Sequence, residues 1–498
     1  MGLPAFLQKI FTDRVLWGIL LVGLILRLIE LDEPLLDSDS FRQGATASIA
    51  RNYYERGFDL LHPQISGWGT LDEPGLWPNE FPLYPFLIAL VYIPFGVHEI
   101  IGRIVSILFS LIAAAALYGF VKRLDGSVTA RFTALWFIIS PSFIYFGRGF
   151  SRHSMTLALM LLALYGFVRW LQQDSRISYA GMIVCAALAL LMMPPLIIFV
   201  VPALVLHKHL TCKPFWRNPL LWTAGGLALL PSCFWFSWAK YQINAFSLNS
   251  HGREDFRNWS SLHYYFLWWK HDLFSTMWGV LWDYTLGPIL SILSACGLLT
   301  SSDTTRFVPL LWVLATILYF IIDIHPIAIS IHYVYYLLLL PPLSWSAGRF
   351  TTCLWNTLKQ PALIPVLALR VMLVCLMTFA TLFHWDHHLR DREKWYRVKE
   401  HWLSAIQVVQ LHVPQNARVV VDIFDPSFLY YANRQGLAKN PVDFNLENVQ
   451  YWEKHGMTHA LILHQEELAK NPEMVSYLQS RAKRILQTPE VLIYFFQQ

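Results

Sequence analysis

Long, nearly uncharged apolar runs recur through the first 384 residues, and such runs are typical of chains that fold within a lipid bilayer. The residues AVILMFWYC make up 55% of the sequence and charged residues only 14%, whereas soluble domains average about 25% charge. The last 114 residues differ, because their 26 charged side chains match the density of a soluble domain. The composition therefore predicts a membrane-embedded part followed by a water-soluble C-terminal domain.

The order of apolar runs and basic residues predicts about eleven transmembrane helices. A spanning helix needs about 20 mostly apolar residues, and flanking Lys and Arg stay in the cytoplasm. Lys9 precedes the first run, Val15 to Leu31, which we interpret as a retained span with a cytoplasmic N-terminus. The stretch 178–206 is interrupted by paired prolines and is predicted as two short helices. Because successive spans cross the membrane in alternate directions, the predicted number of spans places residues 385–498 on the external side.

The predicted fold is an α-helical polytopic membrane protein with a small C-terminal α/β domain outside the membrane. The membrane domain covers 1–384 and includes a large first external loop, 32–82; the soluble domain covers 385–498. A short apolar run from Phe81 to Phe95 contains three prolines and is predicted to lie at the membrane surface. Alternation of elements favours a partly parallel sheet in the soluble domain. Its predicted elements are strands 418–424, 460–464 and 491–496 and helices 426–433, 446–455 and 474–486.

Charge and cysteine content argue against nucleic-acid binding and against a cysteine-based metal site or disulfide framework. The net charge of +5 is small for 498 residues, so the composition does not favour nucleic acid as a partner. The six cysteines include no CxxC pair and mostly lie in or beside apolar runs, which favours simple packing. No His or Cys cluster has convincing ligand spacing, so no cofactor is predicted, although a divalent cation remains possible.

Acidic side chains cluster in the first external loop, at the exit of the first span. Asp37 and Asp39, with Arg42 close behind, are predicted as a catalytic group, because a carboxylate near apolar surface has raised basicity and suits a general base. The alternative is that they cap a helix beginning near Phe41. Glu80 is a further catalytic candidate, with stabilisation of a helix start by its charge as the alternative.

Basic side chains occur at the predicted external ends of three spans. Arg103 lies at the end of the second span, where snorkelling to the interface is the alternative role. Arg148, Arg152 and His153 share one tight turn, 147–154. Arg presents paired donors that match phosphate oxygens, so these residues are predicted to bind a substrate phosphate.

An aromatic turn completes the set of predicted substrate-binding residues. His332, Tyr335 and Tyr336 lie between two late spans, where an aromatic belt at the membrane interface is the alternative interpretation. Acid, base and phosphate-binding candidates thus fall on one predicted side of the bilayer. Helix packing alone does not explain that distribution.

The order of these motifs resembles the GT-C superfamily of membrane glycosyltransferases. Within it the similarity is to the branch with dolichyl-phosphate-mannose protein mannosyltransferases and the lipid A aminoarabinose transferase, and it runs through most of residues 30–350. The matching stretches are Asp37 to Gln43, Glu80 to Tyr84, Gly102 to Ser106, Arg148 to His153, Met193 to Pro195 and His332 to Tyr336. Tyr430 to Gly436 is similar to the external domain of bacterial members.

The resemblance implies a sugar donor linked to polyprenyl phosphate and a lipid, glycan or protein acceptor. A first-loop aspartate would deprotonate the acceptor, while basic residues stabilise the lipid-phosphate leaving group as it gains negative charge. By resemblance the base is Asp37 or Asp39, and the phosphate partners are Arg103, Arg148 and His332. The family further implies a bacterial inner membrane, with the site on the periplasmic side. The sugar, hexose or pentose, remains open.

Three departures from the family pattern keep other functions open. Phe81 and Met193 stand where the family often has Lys, and His153 stands where it commonly has Asp or Glu. A non-catalytic scaffold or a degenerate homologue is therefore the second hypothesis. A secondary transporter is the third, although it predicts two similar halves and charges at mid-membrane, and the sequence has no internal repeat.

Overall fold

The computed structural model describes residues 13–245, 273–300, 307–323, 333–357, 364–393 and 395–496. The α-helices are α1 (Arg14–Leu28), α2 (Ser40–Arg56), α3 (Leu83–Phe95), α4 (Glu99–Ile138), α5 (Pro141–Phe146), α6 (His153–Gln173), α7 (Arg176–Met192), α8 (Val200–Thr211), α9 (Pro219–Ala245), α10 (Leu273–Gly279), α11 (Gly287–Thr300), α12 (Phe307–Asp323), α13 (Leu340–Thr357), α14 (Ile364–His384), α15 (Glu400–His412), α16 (Pro426–Ala432), α17 (Leu446–Lys454), α18 (Gln465–Ala469) and α19 (Pro472–Arg481). The strands are β1 (Gln64–Ile65), β2 (Gly75–Leu76), β3 (Arg418–Val421), β4 (Gln435–Ala438), β5 (His459–Ile462), β6 (Arg484–Gln487) and β7 (Leu492–Phe495).

The chain divides into two compact units that do not follow a simple split in sequence. The helical unit comprises 1–31, 103–237 and 256–394. The mixed unit comprises 32–102, 238–255 and 395–498. The first external loop and the C-terminal segment therefore belong to one compact unit, although about 290 residues separate them in the chain.

Apolar helices make up the helical unit. Within the described ranges, five helices are long and apolar enough to cross a membrane, or six if one bent pair counts as a single span. The 40-residue α4 is interrupted at Gly126, whose φ of 85° is outside the helical region. A continuous helix of that length would measure about 60 Å, twice the hydrocarbon core, and the break leaves 27 residues before Gly126 and 12 after it, so only the first segment is long enough to span a bilayer by itself. The predicted total of about eleven spans stays a prediction.

The paired prolines produce the interruption that the sequence predicts. Helix α7 ends at Met192, a 3₁₀ turn covers Pro194–Phe199, and α8 begins at Val200. Proline lacks the backbone N–H of a continuing helix and its ring clashes with the preceding turn, so the chain re-enters a helix only after the prolines.

A five-stranded sheet in the order β4-β3-β5-β7-β6 forms part of the mixed unit. Strand β3 pairs in parallel with β4 and β5, whereas β7 pairs antiparallel with β5 and β6, which agrees with the expectation of a partly parallel sheet. Two assignments from sequence were wrong. Strand β4 was not predicted, and the helix predicted over 474–486 ends at Arg481, so that its last residues belong to β6.

The first external loop packs against the C-terminal segment inside the mixed unit. The backbone N–H of Ala438 donates to the carbonyl of Gly67 at 2.8 Å, which adds a bridge at the edge strand β4. Leu36 is fully buried in the same apolar core as Val419 and Phe428. The two segments therefore share a hydrophobic core.

Glycine at position 44 allows α2 and α16 to approach closely. A Cβ atom added at Gly44 would lie 2.4 Å from the Cβ and 2.7 Å from the Cα of Ser427. We expect Gly44→Ala to lower the melting temperature in detergent, because such a clash typically costs about 1–3 kcal/mol. Gly18→Ala, in helix α1 with nothing within 4 Å, is the matched control and should leave the melting temperature unchanged or higher. Equal melting temperatures for both variants would contradict the close approach.

Candidate functional site

The two first-loop aspartates lie in different environments at the start of α2. Asp37 is buried, with 3% of its surface exposed, and its Oδ1 accepts hydrogen bonds from Gln43 Nε2 at 2.7 Å and from the backbone N–H of Asp39 at 3.0 Å. Asp39 occupies the N-cap position, yet its carboxylate accepts no capping hydrogen bond from the helix. It bonds instead to Arg42 Nη1 at 3.2 Å. Helix capping therefore does not account for the Asp39 side chain.

The surroundings of Asp39 raise the pKa of its carboxyl toward neutral. Its side chain is 15% exposed, and burial raises its pKa to about 6, with the negative charges of Asp37 and Asp425 acting in the same direction. The Arg42 guanidinium opposes this shift through its charge and its hydrogen bond. A partly exposed carboxylate whose pKa is close to neutral accepts protons more readily than an ordinary aspartate and is still ionised at pH 7.

A second group of polar side chains joins this site from the C-terminal segment of the same unit. Ser40 Oγ, in the first turn of α2, donates to Asp425 Oδ2 at 2.5 Å. Lys399 Nζ donates to Ser40 Oγ at 2.7 Å and lies 3.6 Å from Asp425 Oδ2. Sequence reasoning missed Ser40, Asp425 and Lys399 as site residues. The only local signal was the sequence Asp425-Pro426-Ser427, which predicts a helix start and says nothing about a partner 385 residues away.

The predicted phosphate-binding arginines of the helical unit have structural partners at the end of α1. Arg103 Nη1 donates to the carbonyls of Glu30 at 3.3 Å and Leu31 at 2.7 Å. Arg148 Nη1 donates to Ile29 O at 3.0 Å and, by a shorter contact, to Glu30 O. Both side chains are at most 2% exposed. Cations at a helix C-terminus satisfy its unpaired carbonyls and oppose its dipole, so both arginines stabilise the chain reversal that follows α1. Their role toward a phosphate stays a prediction.

Removal of the Arg148 charge should destabilise the helical unit. We expect Arg148→Gln to lower the free energy of unfolding by about 2 kcal/mol, because the carbonyl of Ile29 loses its charged donor and the carbonyl of Glu30 keeps only Arg103. The measurement is thermal unfolding in detergent, with the exposed Arg176→Gln as control. A variant as stable as the control would show that the carbonyl contacts contribute little, and a raised KM for a phosphate donor would then support the binding role.

The other basic residues of the 147–154 turn are also held by local hydrogen bonds. Arg152 Nε donates to the carbonyl of Met192 at 3.1 Å, at the end of α7. His153 is buried at the start of α6, and its Nδ1 lies 2.9 Å from Ser151 Oγ. The structure therefore places these side chains in the packing of the turn, and their proposed substrate contacts remain to be tested.

The remaining predicted residues lie in three places. Glu80 is half-buried in the turn before α3, because that helix begins at Leu83 rather than at Glu80. Tyr336 is 1% exposed and Tyr335 half-buried in the 3₁₀ turn Tyr333–Leu338. His332 lies outside the described residues. The loop 246–272, which includes the aromatic stretch 263–271, also lies outside them.

Two π-helical turns pack together in the helical unit, and sequence reasoning did not identify either. They cover Val280–Thr285 and Trp385–Arg392. The rings of Tyr284 and His388 lie 5.7 Å apart, and His384 Nε2, directly before the second turn, lies 2.9 Å from the carbonyl of Asp283. The ring of Tyr333 stacks on Tyr284 at 4.7 Å. π-Helical turns are rare and occur often at functional sites, so this aromatic cluster marks a second candidate region.

No three His, Cys, Asp or Glu side chains converge as a set of metal ligands among the residues that the structure describes. Asp37, Asp39 and Arg42 come together in the mixed unit. Arg103, Arg148, Arg152, His153, Tyr335 and Tyr336 belong to the helical unit.

A family model described as dolichyl-phosphate-mannose-protein mannosyltransferase matches residues 72–238. A search of curated protein sequences finds no match to the chain. The chain is similar in structure to ArnT from Cupriavidus metallidurans bound to undecaprenyl phosphate, with 15% identity and a TM-score of 0.66 over 97% of this chain and 98% of that one. It is also similar to the oligosaccharyltransferase AglB from Archaeoglobus fulgidus, solved with an inhibitory peptide and a dolichol-phosphate. That alignment has 11% identity and a TM-score of 0.56, and covers 98% of this chain and 75% of AglB.

Both of these proteins have the GT-C fold, and their similarity to this chain extends over nearly its whole length. The match to a mannosyltransferase family model is independent of this structural similarity, because it depends on the amino-acid sequence rather than on backbone shape. The chain therefore has the GT-C fold that its motifs indicated, and its residues 72–238 match the mannosyltransferase family model.

Proposed function

We propose that the chain is an integral-membrane glycosyltransferase that moves a sugar from a polyprenyl-phosphate-linked donor to an acceptor at the external face of the membrane. The observation that carries the proposal is Asp39, a partly exposed carboxylate whose pKa is raised to about 6, beside Arg42 in a chain with the GT-C fold. A base of this kind suits an acceptor hydroxyl, which attacks well only as its proton leaves.

The reaction requires one bond to form and one to break at the anomeric carbon of the sugar. An acceptor oxygen attacks that carbon, its proton passes to a carboxylate oxygen of Asp39, and the bond between the sugar and the lipid phosphate breaks. The electron pair of that bond leaves with the polyprenyl phosphate, which gains negative charge. Cations near the leaving group lower the barrier, and Arg103, Arg148 and His332 take this role by family resemblance.

The geometry favours Asp39 over Asp37 as the base. Asp37 is more deeply buried, and its Oδ1 already holds Gln43 and the backbone of Asp39. Asp37 therefore orients the loop, whereas the Asp39 carboxylate is more accessible. Glu80 remains a candidate for a second carboxylate in the reaction.

The donor and acceptor classes are proposed from the similar solved structures. ArnT was solved with undecaprenyl phosphate, and AglB with a dolichol-phosphate and a peptide. By analogy, the donor here is a polyprenyl-phosphate sugar, and a lipid, glycan or protein is the acceptor. The proposed location is a bacterial inner membrane, with the mixed unit, including the α/β segment 395–498, on the periplasmic side.

Release of polyprenyl phosphate tests the proposal directly. The purified chain in nanodiscs is incubated with a panel of polyprenyl-phosphate hexoses and pentoses and an extract of envelope lipids, glycans and proteins, and lipid phosphate and glycosylated products are followed by mass spectrometry. We expect sugar transfer that depends on the chain and on Asp39. Uptake of a soluble sugar into vesicles without transfer would support a transporter, and neither activity would support a scaffold.

A further inference from the structure

The hydroxyl of Ser40, in the N-terminal turn of α2, is hydrogen-bonded to two side chains of the C-terminal segment of the mixed unit. Ser40 Oγ donates to Asp425 Oδ2 at 2.5 Å and accepts from Lys399 Nζ at 2.7 Å. Ser40 is 2% exposed and follows Asp39 directly in the chain. The position of the Asp39 backbone is therefore fixed by two residues that lie more than 350 positions further along the chain.

Backbone hydrogen bonds hold the loop on both sides of Asp37 as well. The N–H of Ser38 donates to the carbonyl of Trp395 at 3.2 Å, and the N–H of Lys399 donates to the carbonyl of Leu36 at 3.0 Å. Segments 36–38 and 395–399 thus each donate one backbone hydrogen bond to the other. With Gly44 packed against Ser427, the loop that bears the acids is attached to the C-terminal segment at several points.

Asp425 and Lys399 are themselves held by different contacts. Asp425 is 9% exposed, and its Oδ1 caps α16 through the backbone N–H of Ser427 at 2.9 Å and its hydroxyl at 2.6 Å. Lys399 lies over the ring of Trp402, with Nζ 4.0 Å from the ring centroid. Asp425 serves α16 with one oxygen, so the oxygen that it directs to Ser40 is not needed for the cap.

We propose that Asp425 and Lys399 are positioning residues for Asp39. They hold the first turn of α2 through Ser40, and Asp425 brings a negative charge and Lys399 a positive charge to the acidic site. This inference rests on the proposed function and deepens it. It makes the C-terminal segment a component of the catalytic site rather than an appended domain.

The two charges should act on Asp39 in opposite directions. The charged groups that act on Asp39 are Asp37 in its own loop, Arg42 on α2 and Asp425 before α16, and Lys399, before α15, lies 3.6 Å from Asp425 Oδ2. Asp425 is one of the negative charges that raise the Asp39 pKa, so its removal should lower that pKa. Loss of the Lys399 ammonium should raise it, because a nearby cation favours the ionised carboxylate.

The test is the pH dependence of transfer by the full chain in nanodiscs. We expect Asp425→Asn to move the acidic limb of the kcat profile to lower pH and Lys399→Met to move it to higher pH, each by about half a pH unit. Asparagine still caps helices well, which preserves α16. Lys399→Arg should restore the wild-type profile. A merely structural role would lower kcat in both variants without moving their profiles apart.

A remote ion pair in the same unit is the matched control. Glu453 and Arg481 form a 2.6 Å pair on α17 and α19. Val449 of α17 and Leu478 of α19 belong to a different core cluster from Leu36 and Phe428. Glu453→Gln and Arg481→Met should leave the acidic limb where it is. A shift in these controls as large as in the Asp425 and Lys399 variants would overturn the inference.

A second measurement separates this inference from the proposed function. Carbodiimide coupling of glycine methyl ester to Asp39, quantified by mass spectrometry across pH 4–8, follows the protonation of this carboxyl without any turnover. Opposite shifts of the labelling midpoint in Asp425→Asn and Lys399→Met support the inference even if the wild type transfers no sugar, an outcome that would reject only the proposed function. Unmoved midpoints, with transfer intact, would reject the inference alone.

Discussion

Asp39→Asn should reduce sugar transfer by about a hundredfold or more, with little change in stability. Asparagine has the same shape and keeps an oxygen for Arg42, which now bonds to Asp39 Oδ1 at 3.2 Å. It has no basic oxygen, however, and general base catalysis typically contributes about 10²–10⁴ in rate. The measurement is kcat for transfer from a polyprenyl-phosphate donor, with melting temperature measured in parallel.

Two carboxamide variants in the same loop provide the comparison. Asp37→Asn should lose much less activity, because an amide oxygen can still accept from Gln43 and from the Asp39 backbone. Asp59→Asn, at an exposed position paired with His62, should behave as wild type. If Asp39→Asn stayed active while Asp37→Asn lost activity, the base would be Asp37.

The pH profile of the wild type follows from the same assignment. The base works only when ionised, and the pKa of Asp39 is raised to about 6. Activity should therefore be complete above that pH and fall as the pH drops through about 6, whereas an ordinary aspartate would remain ionised to about pH 4. An acidic limb near pH 4 would argue against a raised pKa at the base.

Sequence patterns predicted the elements whose signals are local. Apolar runs and prolines located most helices, and the three-proline run predicted the short α3 (Leu83–Phe95) closely. Strands β4 and β6, four residues each, were missed. Strand β4 directly follows the helix stop at Asn433, where φ is 51°, and β6 directly follows α19, so a single periodicity was extended across both boundaries.

The candidate site was only half predictable for a different reason. Asp37, Asp39 and Arg42 are close in sequence, so their association could be predicted. The bond from Ser40 to Asp425 joins residues 385 positions apart, and nothing in either local pattern specifies the other. The same limit applied to Arg103 and Arg148. Each was predicted to face a phosphate, but the carbonyls they bind belong to the end of α1, which becomes a neighbour only in the folded chain.

Arg349→Met should have the largest effect on stability. Asp125 and Arg349 form a largely but not fully buried ion pair in the helical unit, with side-chain exposures of 12% and 10%. Arg349 Nη2 donates to Asp125 Oδ1 at 3.0 Å, and Trp345 Nε1 donates to Oδ2 at 2.6 Å. Without the guanidinium, Asp125 is a buried charge whose remaining donor is neutral. Such a break typically costs about 3–5 kcal/mol.

The double variant Asp125→Asn/Arg349→Met distinguishes the effect of leaving one charge unpaired from the effect of losing two polar groups. An ion pair taken out of water gains little net free energy, so Asp125→Asn combined with Arg349→Met should be more stable than Arg349→Met alone, since no charge is left buried. Free energies of unfolding from denaturant titrations in mixed micelles give the coupling. Because Asp125 directly precedes the break at Gly126, the loss in Arg349→Met should be accompanied by faster proteolysis between the two segments of α4. Additive single effects, with no recovery in the double variant, would mean that Asp125 and Arg349 act independently and that the break in α4 is held by other contacts.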